Sequence, residues 1–273
     1  MNPDAHNNGL LAALHSTVIE ERVAALASII ENPGPRLPAE TVAAIEGCLG
    51  ADSKTVRRCA AEALAALARR DPAIVAAIRR SLKSANHRIR FGAAYALGAV
   101  GDDALTLDMA AALCEALASS DGDLRWAAAE LMVQLGRAHP NEIREELLAL
   151  VSSAGPAARK MALYCLRDLG VRGPGVLKAA AAAVRDLDAH VRLAALALLS
   201  ASFADHDAAA QLMLERLDSD CEVGVRRAAA VALGNLPPGT AVAIEALRRV
   251  VSLALDESLG RAARTSLERL TRS

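Results

Sequence analysis

Val56-Arg57-Arg58-Cys59-Ala60-Ala61-Glu62-Ala63-Leu64 returns, little changed, as Ile89-Arg90-Phe91-Gly92-Ala93-Ala94-Tyr95-Ala96-Leu97 and as Val225-Arg226-Arg227-Ala228-Ala229-Ala230-Val231-Ala232-Leu233. Outward from these stretches the arginine keeps its place, so that Arg22, Arg57, Arg90, Arg125, Arg159, Arg192 and Arg226 follow one another at gaps of 35, 33, 35, 34, 33 and 34 residues. Self-similarity at a fixed period of this length marks a stacked repeat protein, in which each unit buries its apolar face only against its neighbours.

Each arginine phrase reads as the second helix of a pair. Apolar or small residues recur three and seven places after the arginine, as in Ala60 and Leu64, Ala93 and Leu97, Ala162 and Leu166, Ala195 and Leu199, and Ala229 and Leu233, which is a helical stripe. Four places before it stand Ser53, Asn86, Asp121, Gly155, Asp188 and Glu222. Five of these six offer a side-chain acceptor at the expected helix start. Segments rich in Gly or Pro, such as 101–103, 136–140, 170–174 and 237–239, separate the units. First helices are predicted near 38–50, 72–84, 104–119, 140–153, 174–186, 206–218 and 240–255, with a short one over 8–15. Pro72, Pro140 and Pro174 lie at their starts, where a missing amide costs little. The units so delimited are 6–34, 38–70, 72–102, 104–138, 140–171, 173–203, 206–237 and 239–272, the last with Gly260 where the arginine would stand.

Composition narrows the function classes. Ala, Leu and Val dominate, and the only aromatics are Phe91, Tyr95, Trp126, Tyr164 and Phe203, which suits closely packed helices better than strands. A net charge of -1 gives no general pull toward nucleic acid or anionic membranes. Five cysteines without a C-x-x-C suggest reduced thiols in a cytoplasmic protein rather than a disulfide framework. No apolar run approaches the ~20 residues of a membrane span.

Helix pairs whose second helix carries Asp, a Val-Arg pair, then Ala-Ala and Leu resemble HEAT repeats, most closely the short bacterial HEAT-like subclass. The period of about 34 residues equals that of tetratricopeptide repeats, but the Trp, Tyr and Phe positions of those repeats are missing here. The resemblance covers nearly the whole chain and implies an all-α fold: a right-handed α-solenoid, or superhelix, of about eight stacked helix pairs in a single array. It also implies that the second helices line a concave face.

The arginine lies at the border of the buried stripe and is read as structural. Unit one has Arg22 but Val18 at the acceptor position, whereas unit eight has Asp256 but Gly260. That asymmetry suggests that each arginine reaches the helix start of the following unit. The expected contacts are Arg57 to Asn86, Arg90 to Asp121, Arg159 to Asp188, Arg192 to Glu222 and Arg226 to Asp256, a ladder of charge-assisted bonds that sets the stacking angle.

Binding is expected on the opposite side of the second helix, at one, five, eight and twelve places after the arginine. Phe91, Tyr95, Trp126 and Tyr164 all fall there, with Trp126 expected beside Phe91. Lys160 extends that patch, and Arg58, Glu62, Glu130 and Arg167 form its polar margin. Aromatic anchors with a charged rim are the composition of a protein-recognition surface. These offsets carry eight basic residues against four acidic ones, Asp102, Glu62, Glu130 and Glu268, a surplus of four. An acidic or amphipathic protein segment is the expected partner.

Catalytic signals are sparse. None of the six histidines is followed by Glu, and no Walker loop, G-x-S-x-G or G-x-G-x-x-G occurs. Neither a cofactor nor a metal is expected, and the chain reads as a non-enzymatic scaffold or adaptor. The alternative is a HEAT-like enzyme or accessory factor resembling the bilin lyases or the DNA glycosylases. Nucleic acid is disfavoured because phosphate neutralisation would call for a more basic surface.

Overall fold

The computed structural model describes residues 3–33, 36–152, 155–253 and 256–272. Among these residues there are sixteen α-helices and no strand. They alternate as first and second members of pairs: α1 (Pro3–Leu14) and α2 (Ile19–Glu31), α3 (Ala39–Cys48) and α4 (Lys54–Ala68), α5 (Pro72–Ser81) and α6 (His87–Val100), and α7 (Ala110–Leu117) and α8 (Gly122–Ala138). The order continues with α9 (Pro140–Val151) and α10 (Pro156–Asp168), α11 (Pro174–Ala183) and α12 (Ala189–Ser202), α13 (Asp207–Ser219) and α14 (Val223–Leu233), and α15 (Ala241–Leu253) and α16 (Glu257–Thr271).

The chain divides into two compact units, Met1–Ala116 with Glu130–His139, and Leu117–Ala129 with Pro140–Ser273. In the first, α2 packs on α4 and α4 on α6, while α1 packs on α3 and α3 on α5. In the second, α10, α12, α14 and α16 pack in succession, as do α9, α11, α13 and α15. Two parallel rows of helices, each touching the next of its own row, make the α-solenoid. The stripe expected to be apolar is the core: Ala60, Leu64, Ala93, Leu97, Ala162, Leu166, Ala195, Leu199, Ala229 and Leu233 are all 0% exposed. Truncating one of these leucines to alanine removes a fully buried side chain, at a cost of about 2–5 kcal/mol.

Small residues set the row spacing. A Cβ on Gly98 of α6 would lie 2.3 Å from Leu131 of α8, and one on Gly234, which caps α14, would lie 2.5 Å from the Ser266 side chain and 2.8 Å from its Cα. Both glycines stand eight places after the arginine position and meet the residue six places after it in the next second helix. At Gly234 the obstacle includes backbone, so no side chain can be admitted without moving α16.

Two helices begin several residues from their predicted starts. α1 starts at Pro3 rather than near residue 8. α7 starts at Ala110, preceded by short 3-10 turns over Asp102–Ala104 and Leu107–Met109. Gly101, at φ 135°, ends α6 in a conformation that glycine favours. Arg79 then pins the following loop through Asp108 (2.9 Å) and the Ala104 carbonyl (3.2 Å).

The arginine series does not form the ladder that the sequence suggests. Its commonest contact stays within the arginine's own pair. Nη1 donates to two turn carbonyls five and six places back: from Arg57 to Ala51 and Asp52 (2.7 and 2.7 Å), and from Arg90 to Ser84 and Ala85 (2.5 and 2.9 Å). Arg125 repeats it on Ser119 and Ser120 (2.6 and 2.9 Å), and Arg192 on Asp186 and Leu187 (2.9 and 3.1 Å). Forward contacts exist but use other acceptors. Arg90 grips Glu115 on α7 (2.6 Å), Arg159 grips Asp186 (2.8 and 2.9 Å), Arg192 grips Asp220 (2.9 and 2.9 Å), and Arg22 reaches the Cys48 sulfur (3.5 Å). The Nε atoms of Arg22, Arg125 and Arg226 are buried with no acceptor among the described residues.

Asn86, Asp121, Asp188, Glu222 and Asp256 are therefore not the rungs. Four of them serve their own helices: Asn86 accepts from the Arg88 amide, Asp121 from Asp123, Asp188 from His190 and Asp256 from Leu259. Glu222 makes no side-chain cap and is exposed. Gly155 likewise starts α10 without one. Besides Glu115, the carboxylates that bind these arginines stand two residues earlier, in a column whose side chain also accepts the amide two places on: Ser16 from Val18, Ser84 from Asn86, Ser119 from Asp121, Asp186 from Asp188 and Asp220 from Glu222. Serine suffices for that local turn. Only aspartate adds a second oxygen and a charge for the arginine of the preceding pair.

Asp220 is the most enclosed rung, with its side chain 1% exposed, Arg192 at 2.9 Å and Arg216 at 3.5 Å. Burial pushes its carboxyl up, but the Arg192 hydrogen bonds, the Glu222 amide and the charges of Arg192 and Arg216 outweigh that and hold it below the ordinary carboxylate range. Asp186 follows the same balance, burial being overcome by Arg159, the Asp188 amide and Arg192.

Candidate functional site

The expected binding residues fall into separate groups. On α4, Arg58 and Glu62 form an exposed i,i+4 pair at 3.7 Å, worth about 0.3–0.5 kcal/mol. On α6, Phe91 and Tyr95 are half-buried, with ring centroids 6.2 Å apart and planes inclined at 42°. Trp126 of α8 stacks on Tyr164 of α10, at 5.7 Å between centroids and 20° between planes. The partner that the structure gives Trp126 is Tyr164. Glu130 is exposed one helical turn beyond Trp126, and Lys160 is half-buried one turn before Tyr164.

Trp126 remains 55% exposed although its ring is held in a stack. Beyond Tyr164, the Arg167 guanidinium lies 4.8 Å from the ring centroid and also binds Asp168 at 2.7 Å. The Asp168 hydrogen bond, working against burial and helped by nearby charge, raises the Arg167 pKa further. Arg167, Tyr164 and Trp126 thus form a continuous series: a fixed cation, a half-buried ring and an exposed ring. Such a series presents flat, pre-ordered area, and a partner that covers Trp126 need not first immobilise it.

Further along the second helices of the same compact unit, the aromatic position shrinks. Five places after the arginine, Tyr164 gives way to Ala197 and Val231, and there a groove of about 590 Å³ opens, walled by Leu193, Leu196, Ala197, Ser200 and Val231 with Arg167 and Asn235 at its margin. A second groove of about 440 Å³ lies between α14 and α16, with Arg227, Arg261 and Arg269 around it, and Val231 lines both. Among the described residues no group of three His, Cys, Asp or Glu side chains is placed to hold a metal.

Residues 43–132 match the family model for HEAT repeats. That third of the chain is similar to HEAT repeats. The chain's helix pairs also superpose on solved structures: the X-ray structure of YibA from Escherichia coli, at 14% identity and a TM-score of 0.61, covers 100% of this chain and 93% of that one. The crystal structure of an engineered protein, at 21% identity and a TM-score of 0.50, covers 96% of this chain and 78% of that one. These likenesses establish the fold alone. No curated protein matches the chain.

Reading the repeats for large side chains on the second-helix face locates Trp126 and Tyr164 and misses the grooves. The signal for those lies in the same register as an absence of bulk, Tyr164 followed by Ala197, together with Arg227, Arg261 and Arg269 on the last two second helices. Among the described residues no helix is long and apolar enough to cross a membrane.

Proposed function

We propose that this HEAT array is a non-enzymatic scaffold or adaptor that binds another protein or peptide through the face of its second helices. The exposed but stacked Trp126 carries the reading. A tryptophan this exposed, in a chain with five aromatics, contributes little to the core, and aromatic anchors with a charged margin are typical of interface centres. Buried free thiols at Cys48 and Cys59 suit a reducing compartment, so the partner is sought in the cytoplasm.

The test replaces Trp126 and, separately, Tyr164 with alanine, then quantifies the proteins captured by the full chain from its native host. The reading expects a specific captured protein to be lost with Trp126→Ala while helicity and melting temperature hold. Unchanged capture, or collapse of the fold on losing so exposed a ring, would overturn it. Because Trp126 is the only tryptophan, its emission should shift when the purified partner is added.

A further inference from the structure

We infer that the two adjoining grooves across α12, α14 and α16 are one docking trough for an amphipathic segment of a partner protein that ends in carboxylates. Its apolar side chains lie between α12 and α14, and its acidic end lies at Arg227, Arg261 and Arg269. This rests on the protein-binding reading above and adds to it a second place, a partner chemistry and a polarity.

Three observations carry it. The grooves are contiguous, since Val231 walls both and is itself 42% exposed. One end is aliphatic and small, with Leu193, Leu196, Ala197, Ser200 and Ala201, where a bound side chain meets no bulk. The other end is cationic, and neither lining contains an Asp or Glu.

The arginines there retain most of their capacity. Arg227 has no ion pair among the described residues, Arg261 is paired only with Glu257 at 3.4 Å where both are exposed, and Arg269 reaches Asn235 at 3.4 Å. Asp256, the nearby acid, feels the charge of Arg227 but makes no ion pair with it, and it accepts from Ser258 (2.6 Å) and the Leu259 amide (2.8 Å). The walls favour a peptide over a nucleic acid, because aliphatic side chains offer no ring on which bases would stack. Three second helices about 10 Å apart match the length of a helical peptide of about 16 residues.

The experiment uses the full chain and fluorescence anisotropy with three labelled probes: a peptide of about 16 residues with Leu and Ala on one face and four glutamates at one end, its glutamine twin, and an oligothymidylate. The glutamate peptide should bind at least about tenfold more tightly than its twin and weaken as salt rises. Combined Arg227→Gln, Arg261→Gln and Arg269→Gln should make the two peptides equal. Ala197→Tyr should weaken both about tenfold by restoring the ring that Tyr164 supplies one unit earlier, with circular dichroism unchanged.

Equal affinity for the two peptides, no binding of either, indifference to these substitutions, or tighter binding of the oligothymidylate would overturn the trough. If Trp126→Ala abolishes partner capture while the trough variants change nothing, the protein-binding reading stands and the trough falls. If the trough variants matter and Trp126→Ala does not, the aromatic reading falls instead.

Discussion

Arg57 and Arg192 occupy the same position in two helix pairs and do different work. Each ties the turn of its own pair through two carbonyls, but Arg57 makes no ion pair among the described residues, whereas Arg192 also grips Asp220 with two bonds of 2.9 Å. The difference follows the residue six places before the next arginine: Ser84 after Arg57 and Asp220 after Arg192. The common task of the arginine is therefore to close its own turn. The bond between units is an addition, supplied by Asp220 for Arg192 and by Glu115 of α7 for Arg90.

The sharpest break of this comparison is Asp220→Ala. It leaves the guanidinium of Arg192, whose side chain is 7% exposed, without a carboxylate, while Arg216 keeps Glu215 at 2.6 Å. The expected loss is about 3–5 kcal/mol in urea unfolding, and an effect below about 1 kcal/mol would show that the rung adds little.

Acid should erase the same difference more gradually. The folded pKa values of Asp186 and Asp220 are lowered, so their stabilisation is complete above the unfolded value of about 3.9 and disappears as pH falls through the folded values. The stability gap between the wild type and the Asp186→Asn/Asp220→Asn variant should hold at neutral pH and close below about pH 4. A gap independent of pH would contradict the assignment.

Arg57→Lys should cost about 1 kcal/mol, because one ammonium replaces a fork aimed at two carbonyls. Arg192→Lys should cost more, because it also loses the bidentate pair. The smallest effect is a gain: Ser84→Asp should give Arg57 a rung and raise stability by up to about 1 kcal/mol, visible as a higher urea midpoint that strong salt removes.

The helix pairs were legible because burial, capping and punctuation agree: the stripe at Ala60 and Leu64 is buried, and Asn86, Asp188 and Asp256 start their helices. The rung partners were misread for a physical reason. A carboxylate at a helix start is also the best acceptor for its own helix's free amides, and those are nearer than any neighbouring arginine. Asp186 and Asp220 could have been found as the only aspartates in a column otherwise occupied by Ser and Ala. Trp126, Tyr164 and Arg167 were placed on one face by periodicity alone. That Trp126 would stack on Tyr164 depended on how α8 and α10 meet, which spacing does not encode.

The carbonyl clamp also bears on how the chain folds. Donor and acceptors are only five or six residues apart in Arg57, Arg90, Arg125 and Arg192, so closing the loop costs little entropy and requires no distant segment. Each turn can close on sequence-local contacts as soon as its second helix forms, during synthesis and before the next pair has left the ribosome. Duplicating or deleting a whole pair would leave every remaining clamp intact, which gives the gene a simple way to change the length of the array.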